Sequence, residues 1–139
     1  MNKILIPDNS TIISCPLYMS TIEAGFPSPA EDYIEGTLDL NRHLVKHPAA
    51  TFFVRVSGDS MINAGIHPED ILIVDRSLEP VDKKIVIAVI DGELTVKRLR
   101  YRNGHVFLEP ENEAYQPISI TEDKAFEIWG IVTNVIHKV

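Results

Sequence analysis

From residue 51 onward, short apolar runs alternate with tight-turn signals. Residues 51–56 (Thr-Phe-Phe-Val-Arg-Val) are β-branched and aromatic, and residues 71–74 (Ile-Leu-Ile-Val) form a second short apolar run. Residues 85–90 and 94–99 flank Asp91-Gly92-Glu93, and Asn103-Gly104 leads into residues 105–108. Asp-Gly and Asn-Gly pairs supply the positive φ angles that two-residue hairpins demand. Residues 126–135, around Trp129 and Gly130, make a last strand candidate. Strands at this spacing predict a mostly β, compact domain. One short helix is predicted over residues 39–47: Asp39 caps it, Leu40 and Leu44 share a face, and Pro48 stops it.

The first 33 residues read differently. They show no sustained helical or strand period and carry Pro7, Pro16, Pro27 and Pro29. Gly25-Phe-Pro-Ser-Pro29 favours extended or polyproline backbone, because proline fixes its own φ and restricts the residue before it. The sequence therefore divides into an N-terminal arm, residues 1–34, and a β-rich domain, residues 35–139. An extended arm suits a peptidase substrate, since such peptides bind as added strands.

The 139 residues fit one domain plus a short arm. A formal net charge of −7 argues against a chain that grips phosphates by itself, because such binding rests on a basic face. Lys97, Arg98, Arg100 and Arg102 cluster in sequence, but strand alternation splits them between two faces. Direct nucleic-acid binding is not expected. Cys15 is the single cysteine, so no intrachain disulfide forms and no oxidising compartment is required. It reads as a small apolar contact of the arm. The N-terminus is a poor signal peptide and no apolar run reaches membrane-spanning length, so the expected location is the cytoplasm, without membrane attachment.

Ser60 lies in Ser57-Gly-Asp-Ser-Met61, directly after a strand. Glycine lets the backbone turn sharply, so the serine behind it can be presented at the strand end with backbone N–H groups aimed at a developing oxyanion. The plain alternative is a polar turn, in which Ser, Gly and Asp abound. A serine nucleophile needs a base. No histidine stands in a triad context and the G-x-S-x-G elbow is missing. Lys97 is the remaining candidate. On its strand Thr95, Lys97 and Leu99 share one face and Val96, Arg98 and Arg100 the other, so Lys97 points inward if Leu99 does. An ordinary lysine is neutral in about one molecule in 2,500 at pH 7. Burial disfavours the ammonium and brings the proton-accepting form into range. The alternative is a lysine whose stem covers apolar surface and whose head reaches water.

His43 and His47, four apart, have zinc-ligand spacing, but Leu44 stands where a metallopeptidase has glutamate and a third ligand is not evident. They read as a solvated helix face. No metal or cofactor is expected, and neither a paired acid–base carboxylate signal nor a Gly-rich phosphate loop is seen.

Ser57-Gly-Asp-Ser-Met61, Asp70-Ile-Leu-Ile-Val-Asp75 and Asp91-Gly-Glu-Leu-Thr-Val-Lys97 together resemble the LexA/UmuD family of autopeptidases. Leu108, Pro110, Asn112, Tyr115, Pro117 and Trp129-Gly-Ile-Val132 fit the same pattern. Upstream, Pro16-Leu-Tyr18 and Ala24-Gly-Phe-Pro-Ser-Pro-Ala-Glu-Asp-Tyr33 are similar to the cleavage arm of the UmuD branch, in which cysteine often stands at the place of Ala24. The resemblance implies a β-rich peptidase domain, a homodimer and a mobile arm. It implies Ser60 as nucleophile, Lys97 as general base and Ala24–Gly25 as the bond cut in the chain itself; in that reaction backbone N–H groups near Asp59 and Ser60 would hold the oxyanion. It further implies stimulation by RecA filaments on single-stranded DNA, and service of the cut form to a UmuC-like, Y-family translesion polymerase in the SOS response. The alternative is a polymerase- or RecA-binding module with a vestigial peptidase site.

Overall fold

The computed structural model describes residues 4–8, 10–18, 24–25 and 34–139. The chain divides into two compact units, one within residues 1–7 and 47–139 and the other within residues 8–46. Among the described residues the larger unit holds one eight-stranded sheet, in which every neighbouring pair is antiparallel. Its strands are β1 (Ile4–Leu5), β4 (Thr51–Arg55), β5 (Ile71–Asp75), β6 (Ile85–Ile90), β7 (Glu93–Arg102), β8 (His105–Glu109), β9 (Ile118–Ile120) and β10 (Phe126–Ile136), in the spatial order β1-β4-β5-β10-β6-β7-β8-β9. The mostly β fold expected from the spacing of strands and turns is what the chain adopts. β1 and β9 add to the expected set; at two and three residues they are too short to show a period in sequence.

Local chemistry explains the hairpins. Asp91 and Gly92 have φ of 48° and 84°, and Asn103 and Gly104 have 52° and 77°. A positive φ at both central residues matches the turn to the twist of the flanking strands. The first hairpin pairs β6 with β7 and sets Lys97 opposite Val86. The second pairs β7 with β8.

β10 lies at the centre, with Ile131–Ile136 along β5 and Phe126–Ile131 along β6. Its register slips between Ile128 and Gly130 and again between Val132 and Asn134, and such bulges sharpen the bend of a strand. Gly130 sits at the first slip, which is in the pairing with β6, and packs against β5: a Cβ there would lie 2.7 Å from Val74 Cγ1.

The central strands bury both faces, which is why residues 85–90 are apolar throughout instead of alternating. Ile87 packs in a cluster with Phe52, Val54, Val56, Met61, Leu72 and Val74. Val86 and Ala88 join Leu99, Leu108 and Ile131 in a second cluster. Each fully buried Val, Leu, Ile, Phe or Met side chain contributes roughly 1.5–3 kcal/mol.

In the smaller unit β2 (Ser14–Tyr18) and β3 (Ile34–Asp39) form an antiparallel pair, Ser14 opposite Asp39 and Tyr18 opposite Ile34. Pro16 lies within β2; a two-stranded sheet tolerates it because one side of each strand needs no ladder donor. The short helix is α1 (Leu40–Leu44), capped as expected by Asp39, whose Oδ1 accepts from the Arg42 N–H. It ends three residues earlier than residue 47. Val45 leaves the helical region with its N–H closed on Asn41 O, and Pro48 disfavours helical backbone at His47 and opens a 3₁₀ turn, Pro48–Ala50. Of the predicted arm, residues 1–3, 9, 19–23 and 26–33 lie outside the described residues; Ala24 and Gly25 are exposed and form a bend.

Candidate active site

β4 ends at Arg55, and the chain turns through Gly58, whose φ of 81° lies in the left-handed region that glycine enters freely. The turn delivers Ser60, half-buried, above Met61, which is 2% exposed in the core. A second segment stitches this turn in place. The Glu111 N–H donates to Ser60 O at 2.8 Å and the Asn63 N–H to Glu111 O at 2.9 Å. Asn112 Nδ2 donates to Asp59 O at 3.0 Å, and the Tyr115 hydroxyl donates to Asp59 Oδ1 at 2.6 Å, a bond that raises the pKa of Tyr115. The N–H groups of Asp59 and Ser60 donate to none of the described residues.

Lys97 comes from the middle of β7. Leu99 is fully buried and Lys97 only 9% exposed, so the alternation read from sequence holds: both point inward. Lys97 Nζ stands 2.9 Å from Ser60 Oγ, 3.0 Å from Thr95 Oγ1 and 3.1 Å from Val96 O. Among the described residues no carboxylate lies within ion-pair distance of it. Burial without a counter-charge penalises the ammonium and lowers the lysine pKa from its ordinary 10.5.

The three contacts define what the amine can do. As an ammonium it donates to all three oxygens. As a neutral amine it keeps two N–H donors, which Thr95 Oγ1 and Val96 O accept, and its lone pair then faces the Ser60 hydroxyl. A serine hydroxyl at hydrogen-bond distance from a buried amine whose charged form is disfavoured is an arrangement suited to nucleophilic attack.

The sequence profile of the peptidase S24-like family matches residues 16–133 of this chain. The chain belongs to the peptidase S24-like family. Among its relatives, protein SamA of Salmonella typhimurium is 45% identical over 139 residues, covering 99% of this chain and 96% of SamA. Protein MucA of Escherichia coli is 46% identical over 126 residues, covering 90% of this chain and 86% of MucA. The LexA repressor of Clostridioides difficile is 41% identical over 132 residues, covering 94% of this chain and 61% of the repressor. The likeness read from the motifs is thus a likeness over nearly the whole chain.

Other residues of this peptidase S24-like chain are accounted for differently. Arg98 pairs with Glu111, Arg100 with Asp82 and Glu109, and Arg102 with Glu109. With Lys97 buried, the sequence cluster of four cations is not a free basic patch. His47 lies beyond the end of α1 and its Nδ1 bonds Asp75 Oδ2 at 2.6 Å, so it does not share a helix face with the exposed His43. Cys15 is exposed on β2. No helix among the described residues is long and apolar enough to cross a membrane.

Sequence reasoning missed the buttress supplied by Glu111 and the contact of Thr95 Oγ1 with the lysine amine. Glu111 acts through its backbone, which leaves no side-chain signature. Thr95 was legible as a neighbour of Lys97 on the same strand face, two residues away.

Proposed function

We propose that this chain is a self-cleaving serine–lysine peptidase that cuts its own Ala24–Gly25 bond, with Ser60 as nucleophile and Lys97 as general base. The observation that carries the reading is the 2.9 Å approach of a buried, carboxylate-free lysine amine to a serine hydroxyl. Membership of a peptidase family supports it.

In the first step neutral Lys97 takes the hydroxyl proton as Ser60 Oγ bonds to the carbonyl carbon of Ala24. The N–H groups of Asp59 and Ser60 hold the resulting oxyanion. Collapse breaks the C–N bond, and the Lys97 ammonium returns the proton to the departing Gly25 amine. A water molecule, deprotonated in turn by Lys97, hydrolyses the Ala24 ester and restores Ser60. The small side chains at the cut let the strand bend close to the nucleophile. Because the substrate is tethered, its effective concentration is always high. Control therefore lies in docking of the arm and in the protonation state of the lysine. Docking proceeds within one chain or between the chains of a homodimer.

The likeness to the LexA/UmuD family supplies the biological reading. RecA filaments on single-stranded DNA promote the cut after DNA damage, and the product beginning at Gly25 serves a UmuC-like translesion polymerase. Intact-mass analysis of purified protein, incubated with and without RecA filaments, tests the cut and its dependence on the filaments. A product starting at Gly25 that forms faster with filaments and is absent in Ser60→Ala supports the reading. An uncut chain under every condition would leave a binding module with a vestigial site.

A further inference from the structure

A second cluster of reactive side chains lies outside the serine–lysine pair. β5 and β10 run antiparallel with Ile71 opposite Ile136, so one further residue brings Asp70 opposite His137. Asp70 is 3% exposed. Its Oδ1 is 2.6 Å from His137 Nδ1, and its Oδ2 accepts from the His67 backbone N–H at 2.8 Å, which fixes the carboxylate. His67 arrives from the turn that precedes β5, and the two imidazole rings lie 4.6 Å apart between centroids. His67 Nδ1 is buried and has no hydrogen-bond partner among the described residues; Asp70 Oδ2, at 3.7 Å, is too distant to accept from it.

We propose that His67, Asp70 and His137 bind one divalent transition-metal ion of the zinc class. Two imidazole nitrogens and a carboxylate oxygen form a donor set suited to zinc, whereas calcium and magnesium favour all-oxygen sites. The three donor atoms lie within 4.8 Å of one another. Zinc bonds of about 2.0–2.1 Å in a tetrahedron set neighbouring donors roughly 3.3–3.4 Å apart. The imidazoles face different oxygens of Asp70, His137 Nδ1 lying 2.6 Å from Oδ1 and His67 Nδ1 3.7 Å from Oδ2, so binding requires the carboxylate and rings to turn until one oxygen and both nitrogens meet the ion at that spacing. The ion gives the orphaned His67 nitrogen a partner. The two imidazole side chains are 42% and 45% exposed, so the rings are reached from solvent although His67 Nδ1 itself is buried. Such an ion ties the segment that follows Ser60, residues 61–70, to the end of the central strand β10. This proposal stands independently of the peptidase reading.

Zinc chloride titrated calorimetrically into the full chain, without a histidine tag, tests it. One ion per chain is expected. His67→Ala and His137→Ala each remove a ligand, and since loss of a mere outer partner weakens metal binding about 10–100-fold, each should weaken it at least about tenfold. His43→Ala should bind as the parent does. Nitrogen NMR of the unmodified chain supplies a readout that needs no variant: the imidazole resonances of His67 and His137 should shift together on zinc addition. Absence of uptake overturns the proposal. So does uptake that survives both substitutions or leaves those two imidazoles unmoved.

Discussion

Lys97 Nζ stands 2.9 Å from Ser60 Oγ although β5, β10 and β6 lie in the sheet order between β7, which carries the lysine, and β4, which leads into the serine's turn. At about 4.8 Å per strand a flat sheet would hold β4 and β7 roughly 19 Å apart. The contact therefore depends on the twist and bending of the sheet, helped by the bulges of β10, and on the reach of the turn through Gly58.

The buried amine burdens the fold. Lysine bound in the native state with a lowered pKa makes the unfolded chain the better proton binder between that pKa and 10.5. The cost is full below the folded pKa and fades as pH rises to 10.5. Lys97→Met keeps the length and removes the charge. Its melting temperature should exceed the parent's by a few degrees near pH 7, and the advantage should vanish above about pH 10.5. An advantage that grows with pH would show that the lysine is not held against its charge.

Thr95 is predicted to be a positioning residue. Its Oγ1 takes one of the two protons that a neutral Lys97 keeps, leaving the lone pair toward Ser60. Thr95→Val keeps the shape and removes the acceptor. Self-cleavage should slow about tenfold even at high pH, where the lysine is already neutral, because a misaimed base loses part of the 10²–10⁴-fold that general-base catalysis supplies. Thr95→Ser should restore the rate. A Thr95→Val chain that cleaves normally at every pH would remove the residue from the mechanism.

Gly130 has no room to grow. A Cβ would meet Val74 Cγ1 at 2.7 Å and Asp75 O at 3.1 Å, and the second of these is backbone. Gly130→Ala should destabilise the fold by about 1–3 kcal/mol, the range for overpacking a tight core. Urea unfolding measures it. Unchanged stability would mean that β5 and β10 separate more easily than their packing implies.

Much of the larger unit was legible because its signals are local. Asp91-Gly92 and Asn103-Gly104 fix hairpins by their own backbone preferences, and alternation along β7 turned Lys97 inward with Leu99. The β2–β3 pair was not legible: Pro16 hides a strand, and its partner begins sixteen residues beyond Tyr18. The helix end was misjudged because Val45 leaves helical geometry before Pro48 enforces it. The meeting of Ser60 with Lys97, and of Asp70 with His67 and His137, depends on the curvature and register of the whole sheet. No short window of sequence carries that information.

The pH dependence of self-cleavage, followed by intact mass, addresses the central claim most directly. If Lys97 is the base, the rate should rise about tenfold per pH unit from neutrality and level off below pH 10.5, since burial has lowered the lysine pKa. The product should begin at Gly25, and both Ser60→Ala and Lys97→Ala should lack it. A rate that does not change between about pH 7 and 10, or a Gly25 product formed at the parent's rate by Lys97→Ala, would contradict the account.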